Sequence, residues 1–115
     1  MINNFQEIWD EFPSAVTITD SDAKIIYMNK KSIETFANDG GEKLIGESLF
    51  GCHNPASNEI IRNILATGNP NTYTIEKKGK KKLIYQTPWF RDGIVAGLIE
   101  LSIVLPENLP HFNRD

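Results

Sequence analysis

The last third of this chain contains three β-favouring segments separated by short turns, and this pattern limits the fold more than any other feature of the sequence. The segments cover residues 71–77, 80–90 and 94–105, and the turns between them contain Gly79 and Gly93. Strands joined by such tight turns lie antiparallel beside each other. The third segment is almost continuously apolar, which is typical of a central strand covered on both faces. The sequence therefore predicts an antiparallel sheet with residues 94–105 near its middle.

Two further strands and three helices are predicted upstream of this sheet. Residues 15–19 and 24–28 are β-favouring and flank turn-forming residues, so they indicate a hairpin. Residues 3–11 carry apolar side chains at three- and four-residue steps and predict an amphipathic helix. Asn29 and Asn54 have the side chains of helix N-caps and are expected to begin two more helices, the second of which ends at a glycine.

The order of these elements predicts an α+β fold. We expect a five-stranded antiparallel sheet with short helices on one face and an N-terminal amphipathic helix. The chain has 115 residues, enough for one domain. We divide it into an N-terminal helix (residues 1–12), a domain (residues 13–105) and a C-terminal tail (residues 106–115).

Three stretches of the sequence carry turn motifs: Asp20 with Ala23 and residues 25–29, Leu44-Ile45-Gly46, and Pro88 with Arg91-Asp92-Gly93. They resemble the patterns "D..G.I.Y.N", "E-L-x-G" and "P-x-R-D-x-x-G" of PAS domains, and the resemblance covers residues 12–105. Two departures stand out: Ala23 occupies a position where the family commonly has glycine, and the last motif contains one extra residue.

The resemblance implies a sensory or interaction module whose sheet curls around a small cavity beneath the helices. PAS domains bind haem, flavin, small carboxylates, aromatic molecules or nothing, and many dimerise through an N-terminal helix. The fold does not specify which of these applies. By this resemblance we expect a homodimer. We also expect a small molecule as ligand and a kinase or transcription regulator as partner.

Residues 51–55 are the most unusual stretch for chemistry, because Cys52 and His53 precede a predicted helix. The helix dipole at such a position lowers the pKa of a thiol and favours a bound anion. This pattern suggests a redox or ligand-contacting role. The alternative is that Cys52 is a small packing residue and His53 a hydrogen-bonding loop residue.

Side chains in residues 82–90 alternate between two faces of a strand. The register usual in PAS domains implies that Ile84, Gln86, Pro88 and Phe90 face the cavity, where a ligand would supply hydrogen bonds to a buried Gln86. Tyr85 and Trp89 are expected on the outer face, near the aromatic first helix. The extra residue near Pro88 indicates a bulge, which reverses the facing of the residues beyond it.

Two sets of site residues follow from these patterns. For the tyrosines and Trp89, the alternative role is packing in the core or an interface. The predicted ligand-binding residues are Cys52, His53, Gln86, Ile84, Tyr27 and Ile61. The predicted dimer-interface residues are Phe5, Ile8, Trp9, Tyr85 and Trp89.

Several functional classes find no support in the sequence. We find no catalytic triad, phosphate loop or metal-binding spacing, so we expect no enzyme and no metal. The cofactor remains unknown. The cysteine motif of light-sensing flavin domains is absent, and so are the C-x-x-C-H haem attachment motif and a histidine in residues 55–67.

Charge and composition favour a cytoplasmic protein without a membrane or nucleic-acid partner. The net charge is −3, which offers no general attraction for nucleic acid. Five lysines in residues 77–82 are interpreted as a solvated hairpin tip. The single cysteine suits a reducing compartment, and no apolar run has the length of a membrane span.

Two functions remain open at this point. The first is a sensor that binds a small molecule or redox group and signals through a dimer contact. The second is a ligand-free interaction module, whose cavity its own side chains fill.

Overall fold

The computed structural model describes residues 4–52 and 54–115. The chain begins with a short helix and a β-hairpin, continues through short helices and a longer one, and ends in three long strands. In order, the elements are α1 (Phe5–Asp10), β1 (Ala15–Thr19), β2 (Ile25–Met28), α2 (Lys30–Thr35), three 3-10 helices (Ala37–Asp39, Gly41–Leu44 and Leu49–Cys52), α3 (Pro55–Thr67), β3 (Asn71–Lys77), β4 (Lys80–Arg91) and β5 (Ile94–Val104).

The five strands form one antiparallel sheet in the order β2-β1-β5-β4-β3. The predicted α+β fold is therefore confirmed, and the apolar strand β5 lies in the centre. Lys78 and Gly79 both have positive φ at the β3–β4 turn, as do Asp92 and Gly93 at the β4–β5 turn. This backbone conformation is the one that two-residue hairpin loops require.

Asparagine side chains cap the three α-helices. The Oδ1 atom of Asn4 accepts from the N–H of Gln6, that of Asn29 from Ser32 and that of Asn54 from Ser57, at 2.8–3.0 Å. Gly68 ends α3 with a left-handed φ of 77°. These short-range signals operate within one turn of helix, which is why the sequence predicts them well.

The two faces of the sheet have different coverings. Helices α2 and α3 cover one face, here called the helix side, and α1 borders the opposite outer face. The main core lies on the helix side, where Ile61 and Ile64 of α3 pack with Leu98 of β5 and Ile25 of β2. The tail after β5 is largely exposed.

A bulge interrupts the β4–β5 pairing between Trp89 and Phe90. The expected bulge thus lies just after Pro88, and the residues before it keep their alternation. Ile84, Gln86 and Pro88 are buried on the helix side. Phe90, which follows the bulge, is 54% exposed. It does not lie in an enclosed cavity, contrary to the expectation for the even-numbered residues of this strand.

Candidate ligand site on the helix side of the sheet

A row of polar residues crosses the helix side of the sheet. Asn71 of β3 lies directly opposite Gln86 of β4, which lies opposite Glu100 of β5, and Glu100 lies opposite Thr17 of β1. Directly opposed residues project from the same face of an antiparallel sheet. Strand register therefore brings together four polar side chains that are far apart in the sequence.

The first three residues of this row form a continuous hydrogen-bonded chain. Nδ2 of Asn71 donates to Oε1 of Gln86, and Nε2 of Gln86 donates to Oε2 of Glu100, both at 3.1 Å. Gln86 is only 3% exposed. The prediction that a buried Gln86 needs partners is thus met within the chain, by two residues that the sequence analysis did not identify.

The fourth member of the row connects the sheet to α2. The Thr17 and Ser32 hydroxyls lie 2.6 Å apart, and both residues are buried. A pair of bonded hydroxyls can exchange donor and acceptor roles, because each carries one proton and two lone pairs. Thr17 therefore joins the polar row to α2, because it lies opposite Glu100 and its hydroxyl contacts that of Ser32.

Tyr73 lies on the same face, one pair of residues along from Asn71. It opposes Ile84 on β4 and is 41% exposed. Burial raises the pKa of the Tyr73 phenol, and the negative charge of Glu100 raises it further. The phenol and the carboxylate therefore share one electrostatic environment.

A cleft of about 380 Å³ lies beside this row, between α3 and the start of β3. Asn71 lines the cleft and is also the first member of the hydrogen-bonded chain. The cleft thus adjoins the polar row at Asn71. Its other lining residues are Glu59, Ile60, Asn63, Ile64, Asn69 and Pro70.

The structure separates the predicted ligand-binding residues into different environments. Gln86 is a member of the polar row on the helix side, and Ile84 lies beside that row. Ile61 of α3 is fully buried in the hydrophobic core. The Cys52 side chain and His53 lie outside the part of the chain that the structure describes. Their predicted role stays a prediction.

Tyr27 lies on the outer face, apart from the other predicted ligand residues, and its ligand contact stays a prediction. It pairs with Ile18, whereas the adjacent Met28 pairs with Thr17 on the helix side. The Tyr27 hydroxyl donates to Oδ1 of Asp10 at 2.6 Å. Burial and this hydrogen bond raise the pKa of Tyr27. Tyr27 therefore fastens α1 to the sheet and does not share a cavity with Gln86.

The outer face carries a second, apolar groove of about 440 Å³ beside α1. Phe5, Ile8 and Trp9 of α1 are 69%, 44% and 46% exposed. The apolar stripe of α1 is thus covered only in part within this chain. The groove is lined by Gln6, Trp9, Val16, Ile18, Tyr27, Thr87, Ile99 and Leu101.

The other two predicted interface residues, Tyr85 and Trp89, project from the outer face and are partly buried. Trp89 has a role within the chain, since its indole Nε1 donates to the Thr19 carbonyl at 2.8 Å. Whether these residues also contact a partner remains a prediction.

Glu100 carries a signal that the sequence analysis missed. Glu100 is the single charged residue in the otherwise apolar stretch of β5. A lone charge in a central strand indicates a buried polar contact or a ligand. The other members of the row have no comparable local signal, because their meeting depends on strand register.

The described part of the chain holds neither a metal-binding cluster nor a helix that could span a membrane. Within residues 4–52 and 54–115, no three His, Cys, Asp or Glu side chains come together to hold a metal ion. Over the same ranges, no helix is both long and apolar enough to cross a membrane. Of the two histidines, His111 lies in the exposed tail and His53 lies outside the described residues.

No protein-family model matches the sequence, and no curated protein matches it. Solved structures do match its fold. One of them is the VqmA dimer of Vibrio cholerae. Its chain matches this one with a TM-score of 0.68 and 19% sequence identity, and the match covers 92% of this chain and 53% of the VqmA chain. The present chain therefore spans about half of VqmA.

Two further structures from Vibrio cholerae cover most of both chains. A sensory box sensor histidine kinase has a TM-score of 0.63 and 15% identity, over 88% of this chain and 89% of that one. The Aer2 receptor, described as a dual PAS-heme oxygen sensor, has a TM-score of 0.64 and 13% identity, over 81% and 95%. These neighbours are sensor and regulator domains, not catalytic ones, in keeping with the expectation of no enzyme. The strand order and these similarities together show that the chain has a PAS-like fold.

Proposed function

We propose that this chain is a sensory domain that binds a small molecule between α3 and the sheet and signals by changing a dimer contact. The polar row on the helix side is the observation that carries the proposal. Gln86 and Thr17 are buried, and Asn71 and Glu100 are partly buried. Polar groups in a small core are costly unless they are bonded, so such a row needs a reason. A binding site that must recognise a polar ligand supplies that reason.

Asn29 offers a physical connection between this site and α1. It is 1% exposed and lies at the start of α2, three residues before Ser32. Its side-chain amide lies 2.9–3.3 Å from five backbone groups, namely the carbonyl oxygens of Trp9, Phe12 and Ser14 and the N–H groups of Val16 and Ser32.

A ligand that moved Ser32 or Thr17 would act on Asn29, and through it on the C-terminal end of α1. The ligand shifts this equilibrium only to the extent that it binds the two arrangements with different affinities. In this proposal, α1 is the element that takes two alternative positions on the outer face. The residues that report the change are then Phe5, Ile8 and Trp9.

The dimer contact is proposed to form through α1 and the outer face. The exposed aromatic stripe of α1 and the apolar groove beside it support this, because a contiguous exposed apolar patch often marks an interface. VqmA, which shares the fold, is described as a dimer. Tyr85 and Trp89 belong to the same outer face in this proposal.

The output is proposed to be a kinase or a transcription regulator in the cytoplasm. Similar structures come from a sensor histidine kinase and from VqmA, which is described in complexes with a ligand and with target DNA. VqmA is also described bound to DPO. No direct contact of this chain with nucleic acid is proposed, given its negative net charge.

A ligand-free interaction module is the second candidate, and one observation favours it. The Gln86 amide is already bonded on both sides, by Asn71 and Glu100. A buried amide that is satisfied in this way needs no ligand. In that case the polar row orients the strands and the outer face alone carries the function.

The experiment is native mass spectrometry of the full chain as purified, with its visible absorption spectrum. The sensor predicts extra mass that Asn71→Ala reduces, because Asn71 lines the cleft. The matched control is Thr72→Ala, one residue along on the opposite face of β3, which should retain the extra mass. Cys52→Ala and His53→Ala test the predicted loop in the same way.

The opposite result would be a colourless dimer of unliganded mass in every variant. If a library of metabolites also left its thermal unfolding temperature unchanged, the sensor proposal would be wrong and the interaction module would stand.

A further inference from the structure

Glu100 places a carboxylate group on the central strand of the sheet. It lies in the central strand β5, is partly buried, and shares its face with Gln86 and Thr17. The α3 residues Ile61 and Ile64 pack against Leu98, the preceding residue on that face. Removing a charge from water is costly unless an opposite charge or several hydrogen bonds replace the water.

No cation in residues 4–52 and 54–115 pairs with this carboxylate. The described ion pairs join Lys30 with Glu11, Lys31 with Glu34 and Arg62 with Glu59, all at the surface. Lys82 occupies the same face of β4 but opposes Val104, four residue pairs along the strands from the Gln86–Glu100 pair.

The direction of the hydrogen bonds adds a second constraint. A carboxylate only accepts, so Gln86 must present its NH₂ group to Glu100 and its carbonyl to Asn71. Asn71 must then present its own NH₂ group to Gln86. The chain of amides is thereby oriented toward Glu100. Glu100 Oε1 and the Asn71 carbonyl accept no described hydrogen bond, so both are available to a ligand that donates.

Tyr73 completes the environment with an aromatic ring. It lies on the same face and is partly exposed, and the charge of Glu100 contributes to raising the pKa of its phenol. An aromatic ring beside a carboxylate is a favourable surrounding for a cation, because the face of the ring carries negative charge.

We propose that this site takes a small organic cation, an amine or amidinium, whose charged nitrogen lies against Glu100 and whose carbon skeleton extends toward Tyr73 and the cleft beside Asn71. This inference rests on the proposed function and specifies its ligand class. The same carboxylate disfavours small carboxylates, because like charges repel at short range in a partly buried site.

The test uses the full chain, labelled with ¹⁵N, and three probes of nearly the same shape: benzylamine, benzyl alcohol and benzoate. Each is titrated at neutral pH and matched ionic strength while the side-chain amide resonances of Gln86 and Asn71 are followed. Benzylamine should shift both resonances in a saturable way. Benzyl alcohol should bind at least about tenfold more weakly, since a charge-assisted hydrogen bond is replaced by a neutral one, and benzoate should not shift them.

Two substitutions of Glu100 separate the effect of charge from that of shape, and a third variant is the control. Glu100→Gln keeps an acceptor and removes the charge, so the affinity for benzylamine should fall by about tenfold or more. Glu100→Asp keeps the charge and should retain the preference for benzylamine over benzyl alcohol. Glu76→Gln makes the same change in charge at an exposed position of β3 and should leave the affinity unaltered.

The other outcomes are also decisive. Binding of benzyl alcohol or benzoate as tight as that of benzylamine, or binding insensitive to Glu100→Gln, would overturn the cation class and leave the small-molecule site standing. Absence of any saturable shift with all three probes would overturn the cation site itself. The comparison among probes uses the unmodified chain, so it holds even if a variant fails to fold.

Discussion

The indole Nε1 of Trp89 donates to the carbonyl oxygen of Thr19 at 2.8 Å, and it does so across β5, which lies between their two strands. The bond is made over Gly97, which opposes Trp89 on β5. A β-carbon added to Gly97 would lie 1.9 Å from the Thr19 oxygen and 2.4 Å from Nε1. The absence of a side chain at Gly97 therefore allows three strands to be tied together.

Gly97→Ala should lower the free energy of unfolding by about 3 kcal/mol, because the backbone of β1 must move to relieve the contact. Urea unfolding followed by fluorescence measures this change. Gly51→Ala is the control, since a β-carbon there meets no atom within 4 Å. A Gly97→Ala protein as stable as the control would show that the crossing is not needed.

Asn29→Asp should release α1 while keeping α2 capped. The new side chain can still accept from the N–H groups of Val16 and Ser32, but it has lost the NH₂ group that faces the carbonyls of Trp9, Phe12 and Ser14. Amide hydrogen exchange should accelerate in residues 5–10 more than in residues 30–35. Equal acceleration in both helices would indicate a general loss of stability instead of a specific connection.

Tyr27→Phe should lower the free energy of unfolding by about 1 kcal/mol at neutral pH, because it removes the hydrogen bond to Asp10. Burial and that bond raise the pKa of Tyr27 in the folded chain. The folded state thus holds the phenolic proton more tightly than the unfolded state. The stabilising contribution is complete below about pH 10, the ordinary pKa of tyrosine, and is lost as the pH rises further.

Urea unfolding across this pH range tests the expectation. The free energy of unfolding of Tyr27→Phe should decline less steeply above about pH 10 than that of the unmodified chain. Tyr85→Phe is the control, because the structure describes no hydrogen bond of its hydroxyl. A variant that kept the full alkaline decline would argue against Tyr27 as its source.

Phe5→Ser combined with Ile8→Ser should convert the proposed dimer to a monomer. These side chains are 69% and 44% exposed, so their loss should cost little stability within one chain. Light scattering after size exclusion reports the mass. Ile94→Ser removes an apolar side chain that is 72% exposed on β5 and should leave the mass unchanged. A dimer that survived the double substitution would place the contact elsewhere.

Short-range patterns in the sequence were enough for much of the fold. The alternation in β4 predicted that Ile84 and Gln86 share one face, because side chains of a strand project alternately to its two faces. The helix caps at Asn29 and Asn54 were predicted because a cap and its N–H partner lie within one turn. Local patterns could not predict that Tyr27 and Gln86 lie on opposite faces, because that depends on how β2 pairs with β1.

The sequence by itself determined the elements and the lone charge at Glu100, since both depend on neighbours within a few positions. Only the tertiary structure decided that Asn71, Gln86, Glu100 and Thr17 form one row, that Trp89 reaches Thr19 over Gly97, and that Asn29 joins α1 to α2. The Gln86–Glu100 and Trp89–Thr19 hydrogen bonds span 14 and 70 residues along the chain. The row and the Trp89 contact arise from strand register, and a shift of one residue would send every side chain of a strand to the other face.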